Sequence, residues 1–379
     1  MKKICFISTT PKTLQWFMKP YIVSLSKKTS ITVLTQNISY LKNEFNNIDI
    51  QYQEIKISRK PSFLNDILLL LYLIKIFRKY KFNSVHSIMP KSGFLSMLAA
   101  RFMNIPNRFH TFTGQVWINK KGISRYFLRN VDKFICSLST HVFADSHSQK
   151  EYLINNKIVS KKKIDVLLNG SICGVDIDKF KPNQEKKHQD RIDNKFSINS
   201  FIFLFLGRLN EEKGIHDLVQ AFLLKFTYYT DCFLIFVGDD EINFKKYINT
   251  LNYNNNNNNI RLFPYSNNPE TFIGMSDIIC LPSYREGFGS VIIEAAASGV
   301  PSIVSDIYGL KDSIIEYETG LKFSKGNIED LSNAMLEMYT NTSLRKKFSK
   351  NARIRSVNLF NQEKLISAFE DFYKSKHLI

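Results

Sequence analysis

Two successive series of short β-rich runs, each interleaved with helical patterns, constrain the fold of this 379-residue chain more than any other feature. In the first series, 3–8, 31–35, 52–57, 84–87, 107–113, 141–144 and 164–168 carry the apolar, β-branched and aromatic residues typical of strands. Helical stretches lie between them near 14–26, 62–80, 93–103, 124–138 and 148–155. A polar segment, 179–197, contains Pro182, lacks apolar periodicity and reads as a linker. The second series follows, with strands at 201–207, 232–237, 260–263, 277–281, 301–304 and 321–323. Its helices are expected at 213–225, 244–251, 291–298, 328–339 and 363–373. Strands separated by helices pair in parallel through right-handed crossovers. The expectation is therefore an α/β chain of two doubly wound halves. Each half should bind ligand at the carboxyl ends of its strands, and the cleft between them should bring two substrates together. The domains are expected to span 1–182 and 183–359, with 360–379 packing back on the first. The asparagine run 254–259 reads as a surface loop tip.

Charge separates the two halves. Through Glu185 there are 29 Lys/Arg against 11 Asp/Glu; after it there are 23 of each, so the whole net charge of +18 lies in the first half. Such a field favours anionic membranes, nucleic acids or polyanionic substrates. Nucleic acid is the weakest of these partners, because the chain has no zinc-finger spacing, RNP-like segment or basic-region heptads. Five scattered cysteines with no CxxC pair argue against a disulfide framework and a zinc site, and they fit a reducing compartment. The opening MKKICFIS is not a secretory signal. The apolar run 67–74 is far short of the about 20 residues that span a bilayer, and it reads as a core helix in preference to a membrane-surface one.

Residues 282–299, PSYREGFGSVIIEAAASG, carry the densest chemistry. Gly287 and Gly289 lack a Cβ, so a ligand can approach the backbone. A helix that starts there points unpaired N–H groups at an anion, most often a phosphate. Glu286 before the turn and Glu294 within the helix are placed to bind hydroxyls beside that anion. The alternative is a buried strand–loop–helix unit with two solvated glutamates. The second half opens with FIFLFLGRLNEEKGIHDLVQAF, where Arg208 and Lys213 follow a buried strand ending at Gly207. Two cations there suit a departing diphosphate; either one alone reads as a solvated loop residue.

Taken together, Gly207-Arg208-Leu209 with Lys213-Gly214, Pro282-Ser283, Glu286-Gly287-Phe288-Gly289, Glu294-Ala295 and Gly299-Val300-Pro301 resemble the retaining glycosyltransferases of family 4. These adopt the GT-B fold, two facing Rossmann-like domains with a cleft between them. The first half is similar to the bacterial subgroup that extends undecaprenyl-diphosphate-linked sugars in capsule and O-antigen synthesis. It carries His86-Ser87 with Pro90-Lys91-Ser92-Gly93, then Thr113-Gly114-Gln115-Val116-Trp117, Ala144-Asp145-Ser146 with Gln149, and Asn169-Gly170-Ser171 with Gly174-Val175-Asp176 and Phe180. The resemblance implies a nucleotide-sugar donor, UDP-linked, with Glu294 on the ribose hydroxyls and Glu286 facing the donor sugar. The diphosphate would meet Arg208, Lys213 and the backbone amides of Phe288, Gly289, Ser290 and Val291, with Gly207 and Gly287 also on the donor side. Glu286, Arg208 and Lys213 are the expected catalytic set, with no metal and no further cofactor. Asp176-Ile177-Asp178 has the spacing of a metal motif but matches a turn of the family.

The acceptor side is drawn from His86, Lys91, Ser92, His110, Thr113, Gly114 and Lys120, with Thr9, Thr10 and Lys12 on the first loop. His86 reads equally as a ligand contact and as a packing residue. Many family members place a histidine directly before the glycine where this chain has Thr113, and alternation puts His110 on the opposite strand face from Thr113. His110 is therefore as consistent with the core as with the site. Trp117 beside Lys120, Lys121, Arg125 and Arg129 suits a lipid headgroup boundary, or else an exposed basic loop with one packed Trp. The implied enzyme is peripheral on the cytoplasmic face of a bacterial plasma membrane. It would move an N-acetylated hexosamine or deoxyhexosamine to a lipid-diphosphate-linked sugar. A GT-B nucleotide-sugar 2-epimerase and a transferase-like scaffold without turnover are the competing readings.

Overall fold

The computed structural model of the chain describes residues 1–58, 62–255 and 259–379. It divides into two compact units, Met1–Cys173 with Gln362–Ile379, and Gly174–Asn361.

The first unit is a seven-stranded parallel sheet of order β3-β2-β1-β4-β5-β6-β7. Its strands are β1 (Lys3–Ser8), β2 (Ser30–Thr35), β3 (Gln51–Glu54), β4 (Ser84–Ile88), β5 (Asn107–Thr111), β6 (His141–Ala144) and β7 (Ile164–Val166). Strand order reverses between β1 and β4, whose register runs from Ile4↔Ser84 to Ser8↔Ile88. The crevice outside the carboxyl ends of two such strands is where ligands bind in open α/β sheets. The helices that position this end are α1 (Lys19–Ser26), α2 (Phe63–Tyr80), α3 (Pro90–Phe102) and α4 (Gly122–Leu138), with α3 packed between α2 and α4. The near-continuous apolar strand β1 (KICFIS) is buried on both faces, and β4 (SVHSI) is buried throughout despite its two serines and histidine.

The second unit is a six-stranded parallel sheet of order β10-β9-β8-β11-β12-β13. It comprises β8 (Phe201–Leu206), β9 (Cys232–Val237), β10 (Ile260–Phe263), β11 (Ile278–Leu281), β12 (Ser302–Ser305) and β13 (Gly320–Phe323). Its reversal lies between β8 and β11, so the Gly-Arg-Leu and Pro-Ser…Glu-Gly-Phe-Gly segments leave the two strands that flank the crevice.

Segment 179–197, expected as a linker, instead holds helix α5 (Gln184–Asp193). Asn183 caps it by accepting the Lys186 N–H. Its buried residue is Arg191, which donates to the Met275 and Ile198 carbonyls and pairs with Asp277 at 2.7 Å. A helix anchored by a buried cation shows no apolar periodicity, so its sequence reads as polar loop. The other helices needed below are α6 (Ile215–Phe226), α7 (Ser290–Ala297) and, returning to the first unit, α8 (Gln362–Ser375). Residues 256–258 of the asparagine run lie outside the described residues. Among the described residues no helix is long and apolar enough to cross a membrane.

Candidate functional site

In the second unit, two sequence-distant loops close over one another at the crevice. Gly214 takes a left-handed conformation (φ +66°), and a Cβ there would overlap the Pro282 carbonyl oxygen. Only glycine therefore lets the Arg208–Lys213 loop lie against the start of the Pro282–Gly289 loop. Gly309, which sequence reasoning passed over, does the same from the other side: a Cβ on it would come within 2.6 Å of the Gly287 carbonyl oxygen.

This packing brings charged groups together. Lys213 Nζ forms an ion pair with Glu286 Oε1, which also accepts the Ser283 hydroxyl at 2.7 Å. Gly289 leads into α7 at φ +78°, and no side chain caps that helix start. The first-turn amides of Ser290 and Val291 therefore carry the positive end of the helix dipole toward the crevice. Phe288 is fully buried against Phe360, ring centroids 5.2 Å apart, so it anchors the turn and offers a ligand only its backbone.

Glu294 is half-buried one turn inside α7, and no hydrogen bond from the described residues reaches its carboxyl. Burial pushes that carboxyl up to about 7; Lys179 opposes the shift and Glu270 adds to it. Lys179 and Glu270 pair with each other at 3.2 Å. Asp176 accepts the backbone N–H of Asp178 and Lys179 at 3.1 and 2.9 Å, a local turn role.

Arg208 does not project freely. One guanidinium nitrogen contacts both oxygens of Glu241 at 3.1 and 3.0 Å, and Asn210 Nδ2 donates to the same carboxylate at 2.8 Å. The Glu241 N–H bonds to the Leu209 carbonyl at 3.0 Å, fixing the pair. Glu241 was missed in the sequence, although its place just beyond the carboxyl end of β9 was a usable signal.

Two histidines expected on the acceptor side lie in the core of the first unit. His86, weighed as an acceptor contact, lies within β4 with no solvent exposure. Its Nδ1 is 2.9 Å from the Tyr373 hydroxyl of α8 and its Nε2 is 2.8 Å from Thr111 Oγ1. Both ring nitrogens are engaged and the ring stacks near Phe6, Phe143 and Phe369, so it is a core residue. Burial, with His110 and His141 nearby, pulls it down to about 3 and holds it neutral.

His110 is equally buried and neutral, pulled down to about 3 by desolvation. Its Nδ1 is 2.8 Å from Ser87 Oγ, and its ring lies so close to α3 that a Cβ on Gly93 would sit 2.5 Å from Cε1. That contact is what the glycine of Pro90-Lys91-Ser92-Gly93 serves.

Trp117 is not at a boundary. It is fully buried, donates from Nε1 to Asp132 Oδ2 at 2.7 Å, and carries the Arg125 guanidinium 5.7 Å above its ring.

The remaining acceptor-side residues gather at the carboxyl ends of β1, β4 and β5. Lys91, on the first turn of α3, pairs with Asp66 of α2 at 2.7 Å. Ser92 donates to the Ile88 carbonyl and lies 3.3 Å from Thr9 Oγ1. Thr10 and Thr13 share a hydrogen bond of 2.8 Å beside them, while Lys12 lies over Trp16. Thr113 is half-buried and Gly114 buried just past β5; Lys120 is exposed.

The sequence pattern of the family described as "Glycosyl transferases group 1" matches residues 186–355, and that of "Glycosyltransferase Family 4" matches 29–173. The chain is similar to the capsular polysaccharide biosynthesis glycosyltransferase CapM of Staphylococcus aureus, at 28% identity over 94% of this chain and 96% of that protein. It is 29% identical to the UDP-Gal:alpha-D-GlcNAc-diphosphoundecaprenol alpha-1,3-galactosyltransferase of Escherichia coli, over 83% of this chain and 81% of that one. Among solved structures, Anabaena HepE in complex with UDP-glucose shares the fold, with a TM-score of 0.80 at 16% identity over 99% of this chain and 100% of that one.

Proposed function

Since the chain belongs to the family 4 glycosyltransferases of GT-B fold, we propose that it moves a sugar from a UDP-sugar to an undecaprenyl-diphosphate-linked sugar in bacterial surface polysaccharide synthesis. The observation that carries the reading is the charge constellation of the second unit. Lys213, Glu286 and the uncapped start of α7 stand together, with the half-buried Glu294 carboxyl one turn inside α7. The printed activity of the Escherichia coli relative supports both substrate classes, and the Staphylococcus aureus relative supports the pathway.

Glu294 accepts the ribose hydroxyls, and the amides of Phe288 to Val291 with Arg208 and Lys213 hold the diphosphate. Glu286 orients the donor sugar. The bond from the anomeric carbon to the phosphate oxygen breaks as a bond forms from that carbon to the acceptor hydroxyl oxygen on the same face. The acceptor proton passes to the departing diphosphate, and configuration is retained. Charge develops on the leaving oxygen, so pre-placed cations and amides lower the barrier without a metal ion. The +18 carried by the first half supports work at the anionic inner face of the plasma membrane.

Purified protein incubated with UDP- and GDP-sugars and a polyprenyl-diphosphate-linked sugar should yield an extended lipid and free UDP. Nucleotide binding with no turnover on any pair would favour the scaffold reading. Conversion of the nucleotide sugar to its 2-epimer without transfer would favour the epimerase.

A further inference from the structure

Helix α2 has two apolar faces. One, through Leu69, Leu73, Ile76 and Phe77, is buried in the first unit. The other is open to solvent, with Phe63 at 81%, Leu64 at 73% and Leu68 at 64% exposure, joined by Ile67 and Leu71. At about 100° per residue these five form one stripe along the first half of the helix. The sequence reading of 67–74 as a core helix therefore accounts for only one side of it.

Helix α4 repeats the arrangement. Its first two turns stand clear of the core, with Ile123 at 88%, Tyr126 at 69% and Phe127 at 62% exposure. Ile123, Phe127 and Phe134 share one edge of the helix at the same spacing, and Phe134 meets Phe94 of α3 at 5.5 Å. The apolar edge of α4 thus faces the α3 side, on which α2 also lies. Exposed Lys120 and Lys121 immediately precede it.

Both helices follow strands of a parallel sheet, β3 and β5, so their first turns stand at its carboxyl edge. Between them lies the first turn of α3 with Lys91, tied to α2 by the 2.7 Å pair with Asp66. Two patches of large apolar side chains, the one on α4 preceded by Lys120 and Lys121, therefore bracket the loop expected to meet the acceptor. Exposed apolar groups in such number mark an interaction surface, and adjacent cations select an anionic one.

We infer that the opening turns of α2 and α4 insert together into an anionic lipid bilayer, seating the α3 loop at the headgroup level. This rests on the lipid-linked acceptor reading and names the surface that serves it. Insertion by side chains from two helices, with Lys120 and Lys121 beside one of them, matches the composition of interfacial anchors.

The test is flotation of the full chain with vesicles of phosphatidylglycerol and phosphatidylcholine, and of phosphatidylcholine alone. Wild type, Leu64→Ser/Leu68→Ser and Ile123→Ser/Phe127→Ser are compared, with an unchanged thermal transition as the check on folding. The wild type should float with the anionic vesicles, and each variant should partition at least tenfold less. Single Trp substitutions at Leu64 and Phe127 should be quenched by brominated lipid. Variants that float like wild type, or a wild type that ignores both vesicles, overturn the inference. So does a concentration-dependent dimer, without vesicle binding, that the same substitutions abolish; the face would then belong to a second copy. The readout needs neither donor nor turnover. Vesicle binding without any glycosyl transfer would sink the proposed reaction and leave this surface standing, and transfer to a soluble acceptor without vesicle binding would do the reverse.

Discussion

Lys213 and Glu286, 73 positions apart, neutralise one another across the two loops that close the second unit's crevice. Each is thereby held in place before any ligand arrives: Glu286 by Lys213 and the Ser283 hydroxyl, Lys213 by the carboxylate. In the proposed reaction an incoming diphosphate would meet a lysine already oriented, as in a preorganised site.

Glu286→Gln keeps the size of the side chain and removes its charge. Transfer should fall by about 10²-fold, the cost typical of losing one group that acts at the transition state, while UDP affinity stays within about threefold. Initial rates and calorimetry separate the two. A variant with unchanged kcat would take Glu286 out of the reacting centre.

Arg208 is held by Glu241, so a phosphate must compete with a resident carboxylate. Glu241→Gln should tighten UDP binding by roughly threefold to tenfold, as expected for weakening a partly exposed ion pair. Arg208→Ala should weaken it by about tenfold or more. If Glu241→Gln instead binds UDP more weakly, Glu241 serves to orient the arginine and does not compete for it.

Glu294, raised to about 7, gives two linked pH effects. An acceptor of ribose hydroxyls works best ionised, so UDP affinity should climb as pH rises through 7 and level off above it. Glu294→Gln should flatten that profile at a lower affinity. Stability moves the other way. Between the unfolded value near 4.5 and about 7, the folded state binds the extra proton, so stability falls as pH rises and the loss is complete above 7. At pH 8 Glu294→Gln should therefore be more stable, by on the order of 1–3 kcal/mol. A urea midpoint equal to that of wild type at pH 8 would contradict the burial argument.

His86 and His110 are both held neutral near 3 against an unfolded value of 6.5. Below 6.5 the unfolded state binds protons that the folded state refuses, so stability falls progressively from pH 6.5 toward 3. His86→Phe, which loses the bonds to Tyr373 and Thr111, should lower stability near pH 7 by roughly 1–3 kcal/mol yet flatten the acid limb. Denaturant melts at pH 7 and pH 4.5 measure both. An acid limb as steep as that of wild type would mean other groups drive acid unfolding.

Much of the architecture was legible along the chain because a strand buried on both faces has to be written as a short apolar run. The runs 3–8, 141–144, 232–237 and 260–263 coincide with β1, β6, β9 and β10 to the residue. Helix α5 was not legible, since what it buries is the Arg191 guanidinium, satisfied by groups 84 and 86 positions away. The bent approach of Gly214 to Pro282 could be guessed from the motif, whereas the role of Gly309 could not.

Sequence alone determined the two α/β halves, the family resemblance and the glycine–carboxylate–cation pattern, because periodicity and motif spacing are local properties of a chain. Tertiary structure decided which of the named residues face solvent. His86 went to the core since α8, starting 276 positions later, lays Tyr373 over it, and Trp117 went inside since Asp132 waits there to accept its N–H. The same packing left the first turns of α2 and α4 uncovered. An apolar residue reads identically in sequence whether it fills a core or faces solvent, and only the elements packed around it tell the two apart.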